Sequence, residues 1–349
     1  MSTSKLPTMR QRRQTLDLLR IFAAFYVTIF HWAGGGWYSE GLRYKYPFSD
    51  LQEEMNSFIS AGWIGVDIFF AISGFVIVDS INRRNIFQFA KARFFRLIPA
   101  YWMITAFTFI LSFWTLKELD VVLFFKSLAG LNFIEGDSPF VPAAWTLGVE
   151  IEFYFLASLV FILPFQKSRW QVFCWMYLSS VAILNVLSIQ NSLLIAIWQF
   201  GPLFILGISL REFESRKGIW EIMLVLASSL LSILGLSDRL STWSTFNSTR
   251  ALVIAAIVII GLSFALINSG STTKANPRNS MFLSRITFIS QLTYPFYLLH
   301  ENFGEGVISI VYWLTNNNLL AIALGFGTCL LLSAWVLALS NRLTHKFSN

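Results

Sequence analysis

Charge is scarce in this sequence. Charged residues make up 13% of its 349 residues, whereas a soluble domain carries about 25%. Hydrophobic residues account for 55% and the mean hydropathy is +0.61, so the chain has the composition of an integral membrane protein. The net charge of +7 is not gathered into a basic run with interleaved aromatics, which argues against nucleic acid as a partner. We attribute the excess of basic residues to loops that set membrane topology.

Cysteine is equally scarce. Cys174 and Cys329 both lie in apolar segments without a CxxC pattern or a neighbouring histidine, so neither a metal site nor a disulfide is expected.

No internal repeat is evident, so the inverted-repeat pattern of many secondary transporters is missing. The first apolar run is too long for a signal-peptide core and has no small-residue cleavage site, which predicts a retained first span.

Long apolar runs are what the chain has instead. A spanning helix needs about 20 apolar residues, and the runs predict an all-α, polytopic membrane protein with about ten transmembrane helices. We expect one membrane domain over residues 1–349, with tails at 1–15 and 341–349 and a bundle at 16–340. Segment 304–318 stays open, since its apolar part either extends the ninth span or forms a short extra helix. The predicted spans are 16–37, 61–81, 98–115, 146–165, 170–188, 191–210, 219–237, 249–268, 283–303 and 319–340.

The distribution of basic residues predicts the orientation of the bundle. Ten spans place both termini on the same side of the membrane. Of the 26 Lys and Arg residues, 20 fall on that side and 6 on the other. The positive-inside rule then predicts that both termini are cytoplasmic. We expect a multi-pass membrane protein with acidic residues, Glu301 and Glu305 among them, on the outer side.

His31 is the most informative single residue, because the chain has only 3 histidines and this one lies inside an apolar span. An ionisable group in the hydrocarbon region is costly and marks function by default. Arg20 lies eleven residues earlier, which puts both side chains on one helical face, roughly 16 Å apart along the axis. The pair suggests a path from one membrane surface towards the middle of the bilayer.

Span two carries Asp67, Ala71 and Gly74 on one helical face. One interpretation makes Asp67 a catalytic group that orients His31. The alternative makes Asp67 a buried structural partner for an arginine or a backbone N–H, while Ala71 and Gly74 let another helix approach closely.

A basic, aromatic-rich segment follows span two and ends at a proline before span three. Its Arg93 and Arg96 are three residues apart, so on a helix their guanidinium groups point the same way. Two convergent guanidinium groups suit a ligand with two or three phosphates. The alternative is an interfacial helix whose basic residues contact anionic lipid headgroups.

Span four begins with two carboxylates, Glu150 and Glu152, in an otherwise apolar helix. They are about 200° apart on a helix, so they cannot face the same cavity. One of them is able to cap the helix N-terminus. We choose Glu150 as the functional carboxylate, against a purely structural role.

Span nine contains a proline kink and then Tyr297 and His300, three residues apart near its outer end. We take them as candidates for the acceptor side of a reaction. The alternative is an interfacial Tyr/His pair that bonds lipid headgroups. The third histidine, His345, lies in the basic C-terminal segment and carries no functional signal.

Four segments in order resemble acyltransferase family 3, a family of integral membrane O-acyltransferases. They read LDLLR with His31 eleven residues beyond its arginine, GVDIFFAISGF, WTLGVEIEFY and YPFYLLH, and they run from residue 16 to about 303. The resemblance implies an Arg-x10-His pair, matched by Arg20 and His31, and a cytoplasmic Arg-x-x-Arg pair, matched by Arg93 and Arg96.

The resemblance also implies an activity. Family members move an acyl group, usually acetyl, from cytoplasmic acyl-CoA to a sugar hydroxyl outside the membrane, on acceptors such as polysaccharides and lipid-linked glycans. Acyl-CoA is then a co-substrate, no cofactor is bound permanently, and membrane lipids surround the protein. A neutral His31 would act as general base or carry the acyl group transiently.

The remaining alternative to an enzyme is a transporter or exporter of a glycan or acylated metabolite. A sensory or scaffolding role would need a soluble output module.

Overall fold

The computed structural model describes residues 14–33, 58–115, 120–135, 138–164, 167–187, 192–244, 246–270 and 280–348. These ranges are almost entirely helical, and none of their residues lies in a β-strand. The predicted all-α fold is therefore confirmed. Most of the predicted tail 1–15 and of the outer loop 38–60 lies outside the described residues.

Several of the helices are joined by short turns. Short 3₁₀ turns, Pro142–Ala144 and Leu159–Phe161, flank α6, and a π-helical turn, His300–Gly304, joins α11 to α12. In chain order the helices are α1 (Gln14–Ala33), α2 (Ile64–Asn82), α3 (Ile86–Thr115), α4 (Val121–Ala129), α5 (Leu131–Glu135), α6 (Trp145–Ser158), α7 (Arg169–Val186), α8 (Ser192–Arg216), α9 (Ile219–Trp243), α10 (Ser248–Ile267), α11 (Ser280–Leu299), α12 (Glu305–Thr315) and α13 (Asn318–Ser348).

Seven helical segments of the described chain are long and apolar enough to cross a membrane, and they correspond to seven of the ten predicted spans. The other three predicted spans, 170–188, 191–210 and 283–303, coincide with α7, α8 and α11. That these three helices also cross the membrane stays a prediction, as does the orientation of the termini. The seven segments are Gln14–Ala33, Ile64–Asn82, Ile86–Phe113, Pro142–Phe161, Ile219–Trp243, Ser248–Ile267 and Asn318–Thr344.

Several boundaries differ from the sequence prediction. Helix α3 begins at Ile86 and continues through Pro99, because the fixed φ of proline fits a helix and only one backbone hydrogen bond is lost. The basic segment is thus the first part of a spanning helix. Helix α13 continues to Ser348, so most of the predicted tail 341–349 is helical. Segment 304–318 forms the separate helix α12 after the π turn.

Helices α2 and α8 approach each other closely in the core. A Cβ added to Gly74 would lie 2.0 Å from the carbonyl oxygen of Phe204, and one added to Gly207 would lie 2.1 Å from that of Ala71. Glycine on both helices lets their backbones touch, which is a common device in membrane bundles. The prediction that Ala71 and Gly74 admit a neighbouring helix is confirmed.

We expect Gly207→Ala to destabilise the protein by about 1–3 kcal/mol, because its new methyl group meets backbone that cannot move aside. The measurement is thermal unfolding of the purified protein in detergent. Gly261→Ala is the matched control, since nothing lies within 4 Å of its added Cβ, and there alanine favours the helix by up to about 1 kcal/mol. Equal Tm values for the two variants would contradict the tight crossing.

Candidate active site

A cavity of about 480 Å³ opens among α1, α2, α3, α6, α11 and α13. Its wall includes two guanidinium groups, Arg20 and Arg96, and one carboxylate, Glu150. Small polar side chains of α11 and α13, such as Ser290 and Ser340, add hydrogen-bonding groups. The volume lies within the range of small-molecule and cofactor sites. We call it the arginine cavity.

Arg20 is held at the cavity by a carboxylate of its own helix. Asp17 is 1% exposed, and its Oδ1 lies 3.5 Å from Arg20 Nη1. The same carboxylate accepts hydrogen bonds from Ser290 Oγ at 2.7 Å and Thr287 Oγ1 at 3.2 Å, both on α11. Asp17 therefore anchors α1 to α11 and fixes the arginine next to the cavity. The Asp is three residues before Arg20, a helical spacing that the sequence analysis did not use.

The two arginines of α3 have different surroundings. Arg96 lines the arginine cavity. The guanidinium carbon of Arg93 instead lies over the rings of Tyr154 and Phe89, 4.8 Å and 5.4 Å from their centroids. Arg93 Nη1 also donates to the Tyr154 hydroxyl at 3.2 Å. Arg93 thus supports the cavity wall through Tyr154, while Arg96 faces the cavity directly.

Glu150 belongs to the arginine cavity. Its Oε1 accepts hydrogen bonds from Ser73 Oγ at 2.6 Å and from the Tyr154 hydroxyl. The chain Glu150–Tyr154–Arg93 therefore joins α6 to α3 across the wall. Glu152 lies by a separate small void beside Tyr177. Glu150 and Glu152 therefore face different cavities, as their spacing on a helix predicts.

Tyr297 lies between the cavity and the histidines. It lines the arginine cavity, and its ring centroid is 5.3 Å from that of His300. The ring of His300 is in turn 5.0 Å from that of His31. Tyr297 therefore connects the wall of the cavity to His300 and, through it, to His31. The sequence makes Tyr297 a candidate for the acceptor side. The structure places its ring in the wall of the arginine cavity and next to His300.

His31, His300 and Glu301 form a compact group, the histidine cluster. His31 lies in the last turn of α1, and its Nδ1 is 3.9 Å from Glu301 Oε1, within ion-pair distance but longer than a hydrogen bond. Glu301 also accepts a hydrogen bond from the backbone of Ala143. A carboxylate at this position would orient the imidazole of His31 and stabilise its protonated form, as in a catalytic triad.

The histidine cluster is built on the π turn. The backbone of Glu301 leaves the helical region there, with φ −72° and ψ −109°. Trp32 Nε1 donates to the His300 carbonyl at 2.7 Å. Gly304 brings the turn against α1 and α13, since an added Cβ would lie 2.8 Å from Trp32 and 3.1 Å from Cys329 Sγ. π turns within helices occur mostly at functional sites.

Asp67 lies in neither group. It is 1% exposed, and both its oxygens accept from Nη2 of Arg239 on α9, at 2.9 and 2.8 Å. Arg239 also donates to the Gln199 carbonyl at 2.7 Å, and its guanidinium carbon lies 4.7 Å from the centroid of the Phe200 ring. This geometry favours the alternative of a structural ion pair for Asp67 over a role in orienting His31.

Sequence reasoning missed three carboxylates that the structure buries. Asp17 anchors Arg20, and Glu301 lies beside His31. Glu305, 6% exposed, follows Glu301 by one helical turn. Glu301 and Glu305 had been counted with the acidic residues of the outer side. The sequence did offer one sign of their role, because Glu301 directly follows a histidine in an apolar run.

Among the described residues, no group of three or more His, Cys, Asp or Glu could hold a metal ion.

Comparison with known proteins decides the family. A family model described as an acyltransferase domain matches residues 13–338. The chain belongs to acyltransferase family 3. The match includes the histidine cluster and most of the residues that line the arginine cavity, such as Arg20, Arg96 and Tyr297.

This family-3 acyltransferase is also similar to a curated protein, the exopolysaccharide production protein ExoZ of Rhizobium meliloti (strain 1021). The two are 26% identical over 152 residues, which cover 41% of this chain and 48% of ExoZ. The matched region thus spans about half the length of that relative. No solved structure matches the chain.

Proposed function

We propose that this acyltransferase moves an acyl group, with acetyl as the expected one, from cytoplasmic acyl-CoA to a sugar hydroxyl of a cell-surface or lipid-linked glycan. The observation that carries the proposal is the connection of two chemically different parts. Tyr297 lines the cavity that holds two arginines, its ring centroid lies 5.3 Å from that of His300, and the ring of His300 lies 5.0 Å from that of His31.

The arginine cavity suits the donor. Acyl-CoA carries several phosphates, and guanidinium groups bind phosphates with two parallel hydrogen bonds. Arg20 and Arg96 are the two guanidinium groups in the wall. From Arg20 to His31 the axis of α1 rises roughly 16 Å, a distance that a pantetheine arm is able to span. We propose that the arginine end of the bundle is the cytoplasmic one, in a bacterial inner membrane.

The histidine cluster suits the transfer. The thioester carbon must meet an alcohol oxygen, and the hydroxyl proton needs an acceptor. His31, with Glu301 beside it, would act as general base or carry the acyl group between donor and acceptor. Detection of an acylated His31 peptide by mass spectrometry would decide for the carrier role.

A glycan is the acceptor that the comparison supports. ExoZ is described as an exopolysaccharide production protein, and we extend a polysaccharide acceptor from it to this chain. The sugar would reach the histidine cluster from the side opposite the arginines.

The test uses purified protein in detergent, acetyl-CoA and de-O-acetylated polysaccharide extracted from cells. We expect release of free CoA and formation of an ester on the polysaccharide, without an ion gradient. Arg96→Ala should raise the KM for acetyl-CoA about ten- to a hundredfold with little change in kcat, since a hydrogen bond to a charged group contributes about 1.5–3 kcal/mol. Thiol release measures both constants, and mass spectrometry of the polysaccharide measures the ester.

Lys91→Ala is the matched control, because Lys91 is an exposed cation of the same helix. Its KM should stay at the wild-type value. An unchanged KM in Arg96→Ala would contradict the donor site. Transport of substrate without any covalent change would contradict the enzymatic function itself.

A further inference from the structure

We propose that His300 is a second catalytic residue, whose Nε2 takes the proton from the acceptor hydroxyl. The inference rests on the proposed acyl transfer and assigns a role within it. It uses three observations: the hydrogen bond at Nδ1, the surroundings of Nε2, and the position of the ring beside His31.

The hydrogen bond at Nδ1 fixes the tautomer of His300. Nδ1 lies 2.5 Å from the carbonyl oxygen of Tyr297. A carbonyl oxygen only accepts hydrogen bonds, so Nδ1 must carry the hydrogen. In the neutral ring Nε2 is then the nitrogen with the free lone pair. His300 is thus prepared as a base at Nε2 before any substrate arrives.

The surroundings of Nε2 indicate that a substrate is its partner. The His300 side chain is fully buried, and no group of the described residues forms a hydrogen bond with Nε2. Native proteins pair nearly all buried polar atoms, and an exception calls for an explanation such as a catalytic role. A lone pair on a neutral imidazole accepts from an O–H group. An alcohol hydroxyl of the acceptor sugar is the donor that this nitrogen fits.

The ring is placed and held where the acyl group is transferred. Its centroid lies 5.0 Å from that of His31 and 5.3 Å from that of Tyr297, which lines the arginine cavity. The backbone of His300 is fixed by Trp32 Nε1 at 2.7 Å, and the side chain by the Tyr297 carbonyl. A base held by both backbone and side-chain hydrogen bonds is preorganised for proton transfer.

The proposed step balances. With His300 as the base, His31 is the acyl carrier, and the transfer has two steps. In the first, a nitrogen of His31 bonds to the acyl carbon, the bond from that carbon to the CoA sulfur breaks, and the N–H proton that acylated His31 loses ends on the sulfur to give free CoA. In the second, the hydroxyl oxygen forms the ester bond to the acyl carbon while its proton passes to His300 Nε2. The bond from the acyl carbon to His31 breaks, and His300 returns the proton to the freed imidazole of His31.

The test compares His300→Asn with His300→Ala and with the wild type, using acetyl-CoA and de-O-acetylated polysaccharide. An Asn amide nitrogen is able to replace Nδ1 as the donor to the Tyr297 carbonyl, but it offers no base at the Nε2 position. We therefore expect His300→Asn to fold with a Tm near that of the wild type and to keep the KM for acetyl-CoA. Its kcat should fall about 10²–10⁴-fold, the usual contribution of a general base.

A purely structural role gives the opposite pattern. If the Nδ1 bond alone matters, His300→Asn should transfer acyl groups at nearly the wild-type rate while His300→Ala does not, and that result would overturn the inference. An increase in the KM for acetyl-CoA by the same factor as the decrease in kcat would also overturn the inference. Failure of the wild type to acylate the polysaccharide would remove the proposed function, whereas an active wild type with an active His300→Asn removes only the role of His300.

Discussion

His31→Ala is expected to abolish acylation of the glycan while the protein still inserts into the membrane and binds acyl-CoA. The imidazole lies in the last turn of α1, next to Glu301 and His300. Neither of the roles open to it, general base or acyl carrier, survives its removal. We expect the transfer rate to fall by at least about 10³-fold, within the range that single general bases contribute.

The measurement has three parts: acyl content of the glycan by mass spectrometry, protein level in the membrane fraction, and binding of acetyl-CoA to purified protein. His345→Ala is the matched control, because it removes the same chemical group from the C-terminal segment. It should leave all three unchanged. Wild-type acyl content in His31→Ala would end the proposed role of His31, whatever the activity of the other variants.

The parts of the molecule that the sequence predicted well depend on local patterns. A run of about 20 apolar residues is sufficient to indicate a spanning helix, and seven such helices agree with predicted spans. Arg20 and His31 lie on one helix, so their spacing could be worked out from helical geometry. Gly74 signals a close helix approach by its size alone, and the contact with Gly207 bears this out.

The partners of these residues could not be predicted, because they come from distant parts of the chain. Glu301 lies beside His31 across 270 positions of sequence, and Arg239 pairs with Asp67 across 172. Helix periodicity says which face a residue occupies but not which helix packs against that face. The π turn was also missed, since it depends on the packing of Gly304 against Trp32 and Cys329 rather than on a local preference.

The polar residues of the proposed site lie in two adjoining groups. Arg20, Arg96 and Tyr297 line a single cavity. The ring of His300 packs against that of Tyr297, so the arginine cavity and the histidine cluster adjoin through one side chain. Asp67 is paired with Arg239, and Asp17 accepts hydrogen bonds from Ser290 and Thr287, which limits the cost of these charges inside an apolar bundle.

Breaking the ion pair between Asp67 and Arg239 is expected to have the largest effect on stability. The two side chains are 1% and 2% exposed, and Arg239 holds α9 against α2. Asp67→Ala leaves a guanidinium group buried without its carboxylate, which costs about 3–5 kcal/mol. The measurement is thermal unfolding in detergent together with the transfer rate. Asp79→Ala is the matched control, because Asp79 and its partner Arg211 are 25% and 18% exposed, and a partly exposed pair contributes about 1 kcal/mol or less.

The double variant Asp67→Leu/Arg239→Met separates a structural role of the pair from a catalytic one. Replacement of both charges by apolar side chains of similar size is often neutral or stabilising, so we expect it to regain most of the stability that Asp67→Ala loses. If Asp67 only holds the helices together, acyl transfer should return with stability. A double variant that unfolds at the wild-type temperature yet transfers no acyl group would show that Asp67 acts on the reaction, and would restore the interpretation that makes it catalytic.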